Sequence, residues 1–140
     1  MNQESDDKPL QNESMLQFLK RKKRFYELLL CAWDQVEFDI DQLVADQYGL
    51  HGADIGNRKV KFLLDWPFGR KLDFLRDIGV ISKRDFRAIQ IFQQRRNTFS
   101  HSGGWSTTFL MTQNEREQLM DEAVKVAQLT FDMLFRARTS

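Results

Sequence analysis

Apolar residues return at intervals of three and four through most of the chain, the period of helices that each bury one side. The first run carries Met15, Phe18, Leu19, Phe25, Tyr26, Leu29, Trp33, Val36, Ile40, Leu43 and Val44. It opens at Ser14, which with Gln17 has the spacing of a capping box, and ends near Tyr48 and Gly49. The pattern permits one very long helix or two joined by a kink around Cys31. After a glycine-bearing loop at 51–57, Lys59 to Trp66 form a short helical segment closed by Pro67, which disfavours helical backbone in the residue before it. Leu72, Leu75 and Ile78 mark a further short helix, with Gly79 placed as its left-handed cap. Ser82 and Asp85 then open a helix whose inner line is Phe86, Ile89, Phe92 and Phe99, and which Gly103 and Gly104 end. Thr112 and Glu115 form the box of a terminal helix carrying Leu119, Ala123, Val126, Ala127, Phe131 and Leu134. Trp105 to Met111 reads as β-like, but it is too short and isolated to make a sheet.

The prediction is an all-α chain: a polar tail over residues 1–12 and one helical domain over 13–140, with long first and last helices. A chain of 140 residues buries roughly 70% of its unfolded surface on folding, enough for a real core. Twelve Phe against two Pro and seven Gly favour long uninterrupted elements over a turn-dense β protein. Cys31, the single cysteine, sits among Leu28, Leu29, Leu30 and Trp33, where a buried, inert thiol in a reducing compartment is expected. Met1 to Lys8 lack the apolar core of a signal peptide, and no segment approaches the length of a bilayer span, so the expected location is the cytoplasm, with no membrane partner. Net charge is +1, so any binding of phosphate must come from local clusters.

Chemistry concentrates at the end of the fourth of these helical segments. At about 100° per residue, Ile89, Phe92, Arg96 and Phe99 lie within about 80° of one another, so Arg96 falls on the buried line while Arg95 points away. Gln93, Asn97 and Ser100 lie on or beside that face, and His101 follows. A guanidinium buried without partners costs several kcal/mol, so the cluster needs an internal network or a wet cleft. In the functional reading, His101 moves the proton of a ribose 2′-hydroxyl or leaving oxygen, Arg96 stabilises phosphate charge and Asn97 orients the site. Gln93, Arg95, Ser100 and Trp105 complete the predicted substrate contacts, Trp105 as a stacking surface for a base. In the competing reading Arg96 satisfies helix-end carbonyls or a buried acid, Glu37 being the named candidate, and His101 is an exposed loop residue.

Other features carry less. Lys20 to Arg24 are five consecutive basic residues that, as one helix, sweep round the axis and read as a solvated surface with Lys22 laid along the apolar stripe. Asp34, Glu37, Asp39 and Asp41 read as an outer, solvated face. Trp33 and Trp66 read as core. His51 has no Cys, His or carboxylate at ligand spacing, so no metal site is predicted. Neither a Walker-type loop nor a dinucleotide fingerprint occurs, and no cofactor is predicted.

The segment Arg96-Asn97-Thr98-Phe99-Ser100-His101-Ser102-Gly103 resembles the Arg-Asn-x-x-x-His signature of the HEPN superfamily. Upstream, Phe68-Gly69-Arg70-Lys71-Leu72, Leu75, Ile78 to Ser82, Phe86 and Arg95 are similar to the branch that includes mannitol-operon-repressor-like proteins; together these stretches cover about half the chain. The resemblance implies an antiparallel helical bundle and a symmetric homodimer, in which Arg96 and His101 of both copies meet in one cleft. It also implies one of two functions. One is metal-independent endoribonuclease activity in a defence, toxin or RNA-processing setting, with RNA as substrate and a cognate antitoxin or regulatory protein as possible partner. The other is a non-catalytic regulator or interaction module using the same cleft. Gly103 stands where some family variants carry a tyrosine that receives nucleotides, so that regulation is not implied.

Overall fold

A computed structural model describes residues 7–50, 65–100 and 111–139, with the backbone alone for Phe99 and Ser100. Five helices lie among these residues: α1 (Met15–Arg21), α2 (Phe25–Gln47), α3 (Phe68–Asp77), α4 (Lys83–Ser100) and α5 (Gln113–Thr139). The described chain is all-helical, as the periodicity predicts. The helical segment expected at Lys59 to Trp66 and the β-like stretch at Trp105 to Met111 fall almost wholly outside the described residues.

Local chemistry sets the helix ends. Ser14 accepts from the Gln17 amide at 3.1 Å while the Gln17 side chain accepts from the Ser14 amide at 3.2 Å, a complete capping box. The Ser82 hydroxyl accepts from the Asp85 amide, and that of Thr112 from the Glu115 amide, each at 3.1 Å. Three helices stop in the same paired-bond geometry around a residue of positive φ: Lys23 at 55°, Gly49 at 69° and Gly79 at 82°. The amides of Arg24, Leu50 and Val80 reach back to the carbonyls of Leu19, Ala45 and Leu75 respectively. The break at Lys23 replaces the kink considered at Cys31 and divides the basic run between a helix end and a helix start.

The core is built round α2. Leu28, Val36, Ile40, Leu43 and Val44 are fully buried against Leu72 and Leu75 of α3, Ile89 of α4 and Ala123 of α5, or nearly so. Burial of each large side chain stabilises by about 1.5–3 kcal/mol. α2 and α5 run side by side in the same direction, since Asp39 meets Thr130 and Asp46, further on, meets Arg138, further on. α4 runs against α5: Arg95 pairs with Glu122, whereas the earlier Ala88 and Ile91 share a groove with the later Lys125 and Val126. α4 and α5 are thus antiparallel, while α2 and α5 are parallel.

Several expectations about single residues change. Cys31 is exposed, because it lies on the side of α2 away from the core. What desolvation it has, followed by the Asp34 and Glu27 carboxylates, raises its thiol pKa. Met15, Tyr26, Ile78 and Phe131, all placed on apolar stripes, are also exposed. In α5 the position facing α2 belongs to Thr130, not Phe131. Two of the four acidic residues assigned to an outer face are drawn inward: Asp39 is fully buried, and Asp41 pairs with the buried Lys71 at 2.6 Å. No helix among the described residues is long and apolar enough to cross a membrane.

Candidate functional site

α4 delivers its inner line as the periodicity requires. Phe86, Ile89 and Phe92 are buried, and Arg96, the next position on that line, is half-buried while Arg95 is exposed. The Arg96 guanidinium lies over the indole of Trp33, 5.2 Å from the ring centroid. A cation held over a tryptophan face contributes about 0.5–2 kcal/mol, more as water is excluded. The Arg96 Nη1 donates a long hydrogen bond of 3.4 Å to the side-chain oxygen of Asn97. Its Nε is buried and has no hydrogen-bond partner among the described residues.

Glu37, the acid considered as partner for Arg96, does not serve: among the described residues Arg96 forms no ion pair. An aromatic face takes that place, and Trp33 thus has a second role beside packing. It is the residue of this site that sequence reasoning assigned to core alone. The period of α2 puts Trp33 on the inner side, but nothing in it says which helix it meets there.

Asn97, which accepts from Arg96, is half-buried, and so is Gln93 one turn earlier on the helix. Arg95 is carried elsewhere, to an ion pair of 2.6 Å with Glu122 on α5. Burial pushes the Glu122 carboxyl above its ordinary pKa and the Arg95 charge opposes that rise. The Ser100 side chain, His101 and Trp105 lie outside the described residues.

The basic run at residues 20–24 is largely neutralised within the fold. Lys20 pairs with Asp121 at 2.5 Å, Arg21 with Glu13 at 3.0 Å, Lys22 with Asp7 at 3.8 Å and Arg24 with Glu27 at 3.7 Å. These partners favour the reading of a solvated surface over a phosphate-binding one. Among the described residues, no group of three or more His, Cys, Asp or Glu side chains is placed to hold a metal ion.

What the described part of this site can do follows from its donors. It offers one fixed positive charge and two amide side chains on the last turns of a helix, a set suited to holding an anionic oxygen. No known protein family, curated protein or solved structure matches the chain.

Proposed function

We propose that this protein is a HEPN-type, metal-independent endoribonuclease that acts as a homodimer. The observation that carries the reading is Arg96: a half-buried guanidinium over Trp33, heading the sequence Arg-Asn-x-x-x-His. In the reaction His101 takes the proton from a ribose 2′-hydroxyl, and the freed oxygen attacks the adjacent phosphorus. The bond from phosphorus to the 5′-oxygen breaks, that oxygen takes a proton from a His101 imidazolium, and a 2′,3′-cyclic phosphate remains. Arg96 stabilises the charge that builds on the non-bridging oxygens, and Asn97 holds Arg96 in position. In the dimer, both copies of the pair line one cleft.

The purified protein is expected to degrade RNA in the presence of EDTA, and His101→Ala to abolish that activity. Cleavage undiminished in this variant would reject the assignment. Removing one charge-stabilising donor of this kind lowers turnover on the order of 100- to 1,000-fold, the loss expected for Arg96→Ala.

The contact between Arg96 and Trp33 also favours a second reading, in which the polar cluster serves fold and partner binding in a non-catalytic regulator. There Arg96→Ala lowers the melting temperature while His101→Ala changes neither stability nor partner binding, and neither variant differs from the parent in an RNA assay.

A further inference from the structure

A second cluster of cations lies at the end of α3 and the start of α4, apart from Arg96. Arg76, Lys83, Phe86, Arg87, Gln90, Ile91 and Gln94 line a groove of about 490 Å³ on the outer side of the helix. Three of the seven are cationic and none is acidic. Arg76 is held by stacking over Phe86, 4.2 Å from the ring centroid, and by Asp73 and Asp77 at 3.5 and 3.4 Å. Lys83 and Arg87 form no ion pair among the described residues, in contrast to the neutralised run on α1 and α2.

The arrangement is ordered along the helix. Lys83, Arg87, Gln90 and Gln94 recur at spacings of four, three and four, which makes one continuous stripe. The next step of three reaches Asn97, the residue that accepts from Arg96. From Lys83 to Asn97 the stripe rises about 21 Å, with its cations at the start and its amides toward the end. On a molecule of net charge +1, the two uncompensated cations Lys83 and Arg87 are a local positive field, not part of a general one.

We infer that this groove is a track for single-stranded RNA. Lys83 and Arg87 contact successive phosphates, and Gln90 and Gln94 offer donors and acceptors to bases or ribose hydroxyls. A single strand is favoured over a duplex because the stripe is one helix face wide and follows a backbone, and because its amides can reach Watson–Crick edges only where the bases are unpaired. The delivery of that strand to Arg96 rests on the proposed nuclease function; binding in the groove does not.

The test is fluorescence anisotropy with a labelled single-stranded RNA of about 12 nucleotides, using the full chain carrying His101→Ala so that the probe stays whole. Titrations run from about 50 to 200 mM salt. Adding Lys83→Ala and Arg87→Ala together is expected to weaken binding roughly tenfold and to lower the slope of log affinity against log salt by about 1.4, the loss of two phosphate contacts on a single strand. Lys125→Ala, on the acid-lined groove between α4 and α5, leaves both quantities unchanged. Both substituted positions are exposed, and an unaltered melting curve verifies the fold. Equal affinity and slope in the doubly substituted protein overturn the track, as does failure of the starting protein to bind. A protein that binds with the expected slope but does not cut RNA keeps the track and sinks the nuclease.

Discussion

Asp39 lies within the seam between α2 and α5 with its side chain wholly removed from solvent. The Gln35 amide donates to one carboxylate oxygen at 2.8 Å, and the Thr130 hydroxyl, whose oxygen also lies 3.1 Å from the Ala127 carbonyl, approaches the other at 2.9 Å. Burial outweighs these two bonds and the more distant charge of Arg138, so the carboxyl titrates above its ordinary 3.8. A raised carboxyl pKa means that the folded chain keeps a proton the unfolded chain has already released. This site therefore destabilises the fold progressively as pH climbs from 3.8 through the raised value, and above that the loss is complete. The amide that Asp39→Asn introduces is neutral throughout and retains an acceptor for Gln35 or Thr130. Urea melts across pH 4–7 are expected to show the parent losing stability relative to Asp39→Asn as pH rises, by at most about 1.4 kcal/mol per pH step of one. The contributions of Asp41 and Glu122, which burial also raises, cancel in that difference. A flat difference would show that the hydrogen bonds, not burial, govern the group.

Helix ends were the most legible elements because their determinants are neighbours in sequence. Ser14, Ser82 and Thr112 each act on an amide three residues away, and Gly79 supplies a left-handed backbone at the point where the apolar line of α3 runs out. The break between α1 and α2 was not legible. Leu19 and Phe25 lie on either side of it and both are buried, so the apolar pattern crosses the interruption, and a lysine rather than a glycine occupies the left-handed position. That conformation costs a residue with a Cβ about 1–2 kcal/mol relative to the right-handed one. Lys23→Gly is accordingly expected to stabilise the fold by about 0.5–1 kcal/mol, and Gly79→Ala, at φ 82°, to destabilise it by about 1 kcal/mol. A Cβ at Gly79 meets no atom within 4 Å, so the second effect reports backbone strain without a clash. Chemical denaturation of the two variants checks the pair; stabilisation by Gly79→Ala would show that the left-handed geometry is not maintained in solution.

At the scale of the whole molecule, pairs distant in sequence decide what periodicity leaves open. The inward direction of Arg96 can be read from Ile89 and Phe92, but its neighbour comes from another helix. Likewise Asp39 reads as a surface acid until α5 brings Thr130 to it. Trp33 is where this matters most. Its ring lies 4.8 Å from Phe68 at the start of α3, 5.9 Å from Phe92 in α4 and 5.2 Å from the Arg96 guanidinium, so one side chain of α2 ties the core to the candidate site. Trp33→Leu removes the ring face and leaves a smaller apolar group, with an expected loss of about 2–4 kcal/mol from packing. Arg96→Ala alone is expected to lose about 1–2 kcal/mol, since its aliphatic stem and its cation both contribute. If the guanidinium is held by the indole, the two losses overlap. The double variant should then be less damaged than the sum of the single ones by about 0.5–2 kcal/mol. Full additivity in denaturant melts would mean that Arg96 is positioned by something other than Trp33, and the anion-holding geometry would lose its support. The overlap is a measure of how firmly the core presents that charge, and it is obtained without any substrate.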